Sequence, residues 1–150
     1  MKDNFLESDS LSGKRVVIFG INHIYSEPTI NHIKQINSLY PEFLKQDIDD
    51  VYCVSFSSEP MQNFLMSKLC KGVQYVHSQD IATFQKALHK KGHLDFLHQY
   101  WQFACILNNK NVEYYIEQPF AKVKILADTK EKIYSNINPT KILQLTIKDI

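Results

Sequence analysis

Leu11-Ser12-Gly13-Lys14-Arg15-Val16-Val17-Ile18-Phe19-Gly20 is the stretch on which the fold turns. Val16 to Phe19 form a short apolar run, rich in β-branched residues and closed by a glycine, which is the pattern of a buried strand. The residues that follow, Ile21 to Thr29, lead into a helix. Pro28 suits the first helical position, where its missing N–H costs no bond, with Ser26 or Glu27 as the cap. Ile30, Ile33, Ile36 (or Asn37), Leu39 and Phe43 then recur at helical spacing. Pro41 is expected to end or kink that helix.

Outward from this unit the pattern repeats. Val51 to Phe56 read as a second buried strand, Ser57 to Pro60 as a helix start, and Met61, Phe64, Leu65, Met66 and Leu69 as the apolar face of a second helix ended by Gly72. Val73 to Val76 form a short third strand, followed by a helix over about residues 82–89. Phe103 to Leu107 and Val112 to Ile116 make a hairpin around Asn108-Asn109-Lys110-Asn111. A weaker strand covers Val123 to Leu126, and Asn138-Pro139 opens a last helix through Ile142, Leu143 and Leu145. Strands alternating with helices imply a parallel sheet covered on both faces, and the late hairpin adds antiparallel strands. This is the order of an α/β thioredoxin-like fold, a central mixed sheet flanked by helices. Residues 1–12 read as a polar arm and 13–150 as one domain.

Bulk composition narrows the function. The chain has 150 residues, 44% hydrophobic and 22% charged, with a net charge of +1. One ordinary domain fits that length, and the balanced charge carries no nucleic-acid footprint. No apolar run approaches the ~18 residues of a membrane span, and the polar start is unlike a signal peptide. Cys53, Cys70 and Cys105 are widely spaced, odd in number and without a Cys-x-x-Cys. They read as reduced thiols packed in a cytoplasmic protein. No cofactor is expected.

The opening stretch resembles the redoxin segment of peroxiredoxins, most closely the subfamily that includes peroxiredoxin five. Its usual form is Gly-Lys-x-Val-Val-x-Phe-Gly-Val-Pro-Gly-Ala-Phe-Thr-Pro-Thr-Cys. Val51-Tyr52-Cys53-Val54-Ser55 is similar to the family's second strand, Gln102-Phe103-Ala104-Cys105-Ile106 to its Arg-Phe-Ala-Met-Val strand, and Ile137 to Leu143 to its closing helix. The resemblance covers roughly residues 11–146 and implies a thiol peroxidase frame with a dimer surface near the first helix. It also implies a site of four groups: a shielding Pro, a Thr that hydrogen-bonds peroxide, the attacking Cys and an Arg that stabilises thiolate and peroxide. Those positions hold Asn22, Ser26, Thr29 and Gln102 here.

Only Ser26 keeps the required chemistry. A thiol is useful because its pKa of ~8.5 falls further at a helix N-terminus. Threonine offers no comparable anion and no reversible oxidation ladder. Gln102 brings hydrogen bonds without charge, and Glu27 places a negative charge where a thiolate would form. Thr29 therefore reads as a helix cap in a redoxin-domain protein without catalysis, acting through a protein partner or small ligand at the altered pocket, or as a homodimer. The alternative is a divergent thiol peroxidase that works through another cysteine. Cys70 is the least buried candidate, although the end of a helix disfavours a thiolate.

Other side chains read as structural. His89, His93 and His98 have partial metal-ligand spacing, but Gly92 interrupts the helix and no acidic set completes a site. His23 and His32 flank the altered pocket as surface or supporting groups. Tyr100, Trp101, Phe103, Tyr114 and Tyr115 divide between core and surface by strand alternation. Lys122, Lys124, Lys130 and Lys132 form a solvated basic face.

Overall fold

Strand β1 (Arg15–Ile21) is buried along its whole length, as its apolar run predicts, and the described core packs on its two faces. The computed structural model describes residues 9–21, 27–55, 68–70, 72–77, 85, 86, 88, 90, 101–119, 123–134 and 136–147. β1 pairs in parallel with β2 (Asp50–Ser55), which pairs in parallel with β3 (Gln74–His77). On its other side it pairs antiparallel with β4 (Gln102–Asn108), and β4 with β5 (Asn111–Gln118). The strand order is β3-β2-β1-β4-β5. The expected mixed α/β sheet is therefore present, with β1 at its centre.

Alternation divides the core in two. Val17, Phe19 and Ile21 face helix α1 (Glu27–Leu44) and helix α2 (Pro139–Thr146), packing with Ile33, Ile36, Phe43 and Ile142. Val16 and Ile18 point the other way, toward Leu11, Leu88, Phe103 and Leu107. Gly20 leaves room for the Phe103 ring to lie over β1 in the second of these layers. A Cβ there would stand 2.0 Å from the Phe103 ring, well inside van der Waals contact.

Three expectations need revision. Helix α1 does not end at Pro41; it runs on to Leu44, with Phe43 fully buried and the Lys45 N–H donating to the Pro41 carbonyl at 3.3 Å. Proline removes one donor, and burial of Phe43 holds the last turn in place. The weak strand after Val123 is real, β6 (Val123–Ile125), but it pairs with β7 (Lys132–Tyr134) in a separate two-stranded ribbon. Three residues are too few to show a period, so β7 carries no sequence signal. The polar arm is tied down at its described end: Leu11 closes a short 3-10 helix and is fully buried, because it covers the second core layer.

The hairpin and the last helix form as expected. Asn109 and Lys110 have φ of 48° and 69°, the doubly left-handed turn that matches strand twist. The Asn109 side chain also accepts from the Gly13 N–H at 2.7 Å. Asn138 caps α2 through its side chain, accepting from the Thr140 N–H at 3.0 Å.

Candidate functional site

Helix α1 starts at Glu27, so Thr29 lies inside the first turn and not at the cap. That corrects the capping role: the cap precedes the first helical residue, and Ser26 falls outside the described residues together with Asn22 and His23. Thr29 is half-buried. Glu27 is exposed and paired with Lys132 Nζ at 3.1 Å, so its charge is partly answered by β7. Lys132 thus leaves the purely solvated basic face to which its sequence assigned it.

Gln102 begins β4 at the end of the sheet from which α1 departs, since Phe103 lies opposite Gly20. It is buried, and backbone occupies both ends of its amide. Nε2 donates to the Pro119 carbonyl at 3.0 Å, and Oε1 accepts from the Ile137 N–H at 3.1 Å. A neutral amide can serve two opposite backbone groups in this way, because it is donor and acceptor at once. A guanidinium, with donors alone, could not accept from Ile137.

Ile137 meets a second side chain. His32, one turn beyond Thr29 in α1, is 1% exposed and stands edge-on to Phe19 with ring centroids 5.8 Å apart. Burial lowers its pKa to about 4, and a hydrogen bond with the backbone of Ile137 pulls weakly the other way. The imidazole is therefore neutral at pH 7. Its Nε2 is buried with no hydrogen-bond partner among the described residues. The sequence reading, which placed His32 at the pocket's surface or behind it, missed this depth; Phe19 and Phe43 enclose that side of α1 only in three dimensions. Asn136 completes the strap, donating from Nδ2 to the Pro28 carbonyl at 2.9 Å. The segment 136–137 thus joins the first turn of α1, His32 and Gln102.

The cysteines differ sharply. Cys53 in β2 and Cys105 in β4 are fully buried, and Cys70, just beyond a helical stretch, is half-buried. Burial pushes the Cys105 thiol up far beyond its ordinary range. Cys70 packs against the apolar cluster that contains Cys53. Cys53 is held protonated, first by donating to Cys70 and then by burial. Cys70 is lowered because it receives that bond, which outweighs its own burial. The group that lowers Cys70 stands 17 positions away in the sequence (70 − 53). Spacing alone gives no signal for such a contact.

Among the described residues there is no cluster of three metal-ligating side chains. His89, His93, His98, Tyr100 and Lys122 lie outside the described residues, so their sequence readings stand as expectations. On the second face, Phe103 stacks on Tyr115 at 5.8 Å, and Tyr115 donates to Glu117 at 2.7 Å. This aromatic group is part core and part rim, as strand alternation requires.

This arrangement, a parallel β1-β2-β3 edge, a central β1 and an antiparallel β4-β5 hairpin packed against α1 and α2, defines a thioredoxin-like α/β protein. Solved structures agree. Reduced Prx3 of Vibrio vulnificus in complex with hydrogen peroxide superposes with a TM-score of 0.66 at 14% identity, covering 92% of this chain and 84% of that one. The bacterioferritin comigratory protein of Xanthomonas campestris gives 0.62 at 16% identity, with 91% and 80% covered. No family model matches the chain. Among curated proteins, it is 31% identical over 114 residues to a peroxiredoxin of Rhizobium etli and 30% identical over 117 residues to peroxiredoxin y4vD of Sinorhizobium fredii. Each match covers 73% of this chain, and the chain spans 64% and 61% of those relatives' lengths. The chain belongs to the peroxiredoxin, or redoxin, family.

Proposed function

We propose that this chain is a redoxin-family protein that does not reduce peroxide at the start of α1 and acts there by binding. Its single arginine carries the reading. The sequence holds one arginine, Arg15, and it sits at the opposite end of β1 from α1, about 20 Å away at ~3.3 Å per residue. There it is committed to Glu113 at 2.7 Å and the Thr146 carbonyl at 2.9 Å. No other residue of the sequence can supply a guanidinium beside Thr29. Gln102 holds two backbone segments together where the resemblance expects that cation.

Two further features support this. Threonine lacks an oxidisable sulfur and a thiolate. His32 and Gln102 are neutral and bring no charge to a developing anion, and the Lys132 ammonium at this end is paired with Glu27. The surface around the first turn of α1 is then available for a protein partner, a small ligand or a second copy of the chain, in the cytoplasm and without nucleic acid or membrane.

The test is hydroperoxide consumption by purified protein with a thiol reductant, comparing wild type with Thr29→Ala. Equal rates are expected. A tenfold or greater loss in Thr29→Ala would place chemistry at α1 and overturn the proposal.

A further inference from the structure

We propose that His32 is an acid-operated latch, in which a proton on the imidazole opens the 136–137 segment away from the first turn of α1. The ring is 1% exposed and stands edge-on to Phe19. Ile137 is buried in the same apolar layer as Phe19, Ile33 and Ile36. The Nε2 atom of His32 is buried with no hydrogen-bond partner among the described residues.

That orphan atom sets the direction of the response. As a lone pair, Nε2 forgoes the solvation of one neutral acceptor. As the N–H of an imidazolium it is a charged donor with nothing to donate to, which is far more costly in an apolar layer. A proton is therefore admitted only when the ring reaches water.

No neighbouring charge offsets this. In β1 the charged group is Arg15, at the far end of the strand and bonded to Glu113. In β2, Asp50 lies level with Val16 at that same end, Tyr52 faces the other layer, and Cys53 is a buried thiol. The Cys105 thiol of β4 also faces the other layer, and Lys141 of α2 is exposed. In α1 itself Lys34 and Glu42 are exposed and Tyr40 lies eight residues further on (40 − 32). Glu27, at the start of α1, is exposed and engaged by Lys132 of β7 at 3.1 Å. Burial accordingly lowers the pKa of His32 to about 4, and its bond with the Ile137 backbone recovers only part of the shift.

The 136–137 segment is the part able to yield. Its side-chain ties are the Asn136 bond to the Pro28 carbonyl at 2.9 Å and the Ile137 N–H bond to Gln102 Oε1 at 3.1 Å. The adjoining Lys132–Glu27 pair is exposed and holds weakly in water. By contrast β1 is paired on both sides along its length, so opening the segment costs less than unfolding the sheet. Above pH 6.5 the imidazole is neutral in both forms and the segment stays shut. As pH falls from 6.5 toward 4, the open form takes a proton that the closed form refuses. The surface at the first turn of α1 then answers to acid.

The test is amide hydrogen exchange of the native protein at pH 7 and pH 4.5, corrected for intrinsic rates and repeated in urea below the unfolding transition. Protection of the Ile137 amide should fall roughly 60-fold between the two pH values, the ratio imposed by a pKa of 6.5 in the open form and about 4 in the closed one. At pH 4.5 its exchange should not respond to urea, while that of Val17 and Ile18 in β1 accelerates. His32→Leu and His32→Gln should each abolish the fall. A change under threefold in wild type would overturn the proposal. So would Ile137 exchange that accelerates with urea in step with Val17 and Ile18, or a full fall that persists in either variant. The wild-type comparison stands even if a variant fails to fold. The measurement uses the free protein, so failure here leaves the reading of α1 as a binding surface intact, and failure of that reading leaves the latch intact.

Discussion

The two ends of β1 solve the same problem with opposite chemistry. At its beginning, Arg15 gathers three distant segments with charge. Its side chain bonds Glu113 in β5, the Thr146 carbonyl at the end of α2 and the Gln46 carbonyl after α1, while its N–H donates to Asp49. At the other end, Gln102 and His32 gather β5, the 136–137 strap and α1 with neutral groups. A redoxin frame needs ties at both ends to hold its helices on the sheet. It needs a cation only where an anion is to be stabilised. The difference teaches that this chain ties both ends of its sheet and has its one guanidinium at the end away from the start of α1.

Breaking the charged end should have the largest effect. Arg15→Leu removes three side-chain bonds and leaves Glu113 and a buried carbonyl without their donor, so a loss of roughly 3–5 kcal/mol is expected, read from the urea midpoint. If the loss is under about 1 kcal/mol, within the range of a surface pair, the contrast between the two ends is wrong.

Acid should expose the neutral end. The folded pKa of His32 is depressed from 6.5 to about 4, so at pH above 6.5 the residue is neutral in both states and costs nothing. As pH falls from 6.5 toward 4, the unfolded chain binds a proton that the folded chain refuses. Stability then falls by about 3 kcal/mol in total and changes no further below 4. Unfolding midpoints measured across that window should show this slope in wild type and lose it in His32→Leu, which also removes an unpartnered nitrogen. An unchanged slope in His32→Leu would mean that other groups set the acid response.

The smallest of the three effects sharpens the comparison most. Gln102→Ala strands the Ile137 N–H and the Pro119 carbonyl, for a loss of roughly 1–3 kcal/mol. It should leave hydroperoxide consumption unchanged, because the amide acts as a strut. A stability change without an activity change separates that role from catalysis; a fall in activity at unchanged stability would restore a chemical role to this position.

Much of this was legible in the residues. The apolar run Val16–Phe19 fixes a doubly buried strand, the spacing of Ile33, Ile36 and Phe43 fixes the buried face of α1, and Asn138-Pro139 fixes the start of α2, since periodicity and capping are local. The single arginine and the threonine at position 29 are also facts of sequence, as is the membership they qualify. Tertiary structure decided the rest. It carried α1 past Pro41 by burying Phe43, paired β6 with a strand too short to announce itself, and buried His32 against Phe19. It used both ends of Gln102 on backbone and packed Cys70 against the core layer that holds Cys53. Each of these depends on contacts between residues far apart in the chain. Burial and hydrogen-bond partners, which set the state of a histidine or a thiol, are properties of those contacts and not of residue type.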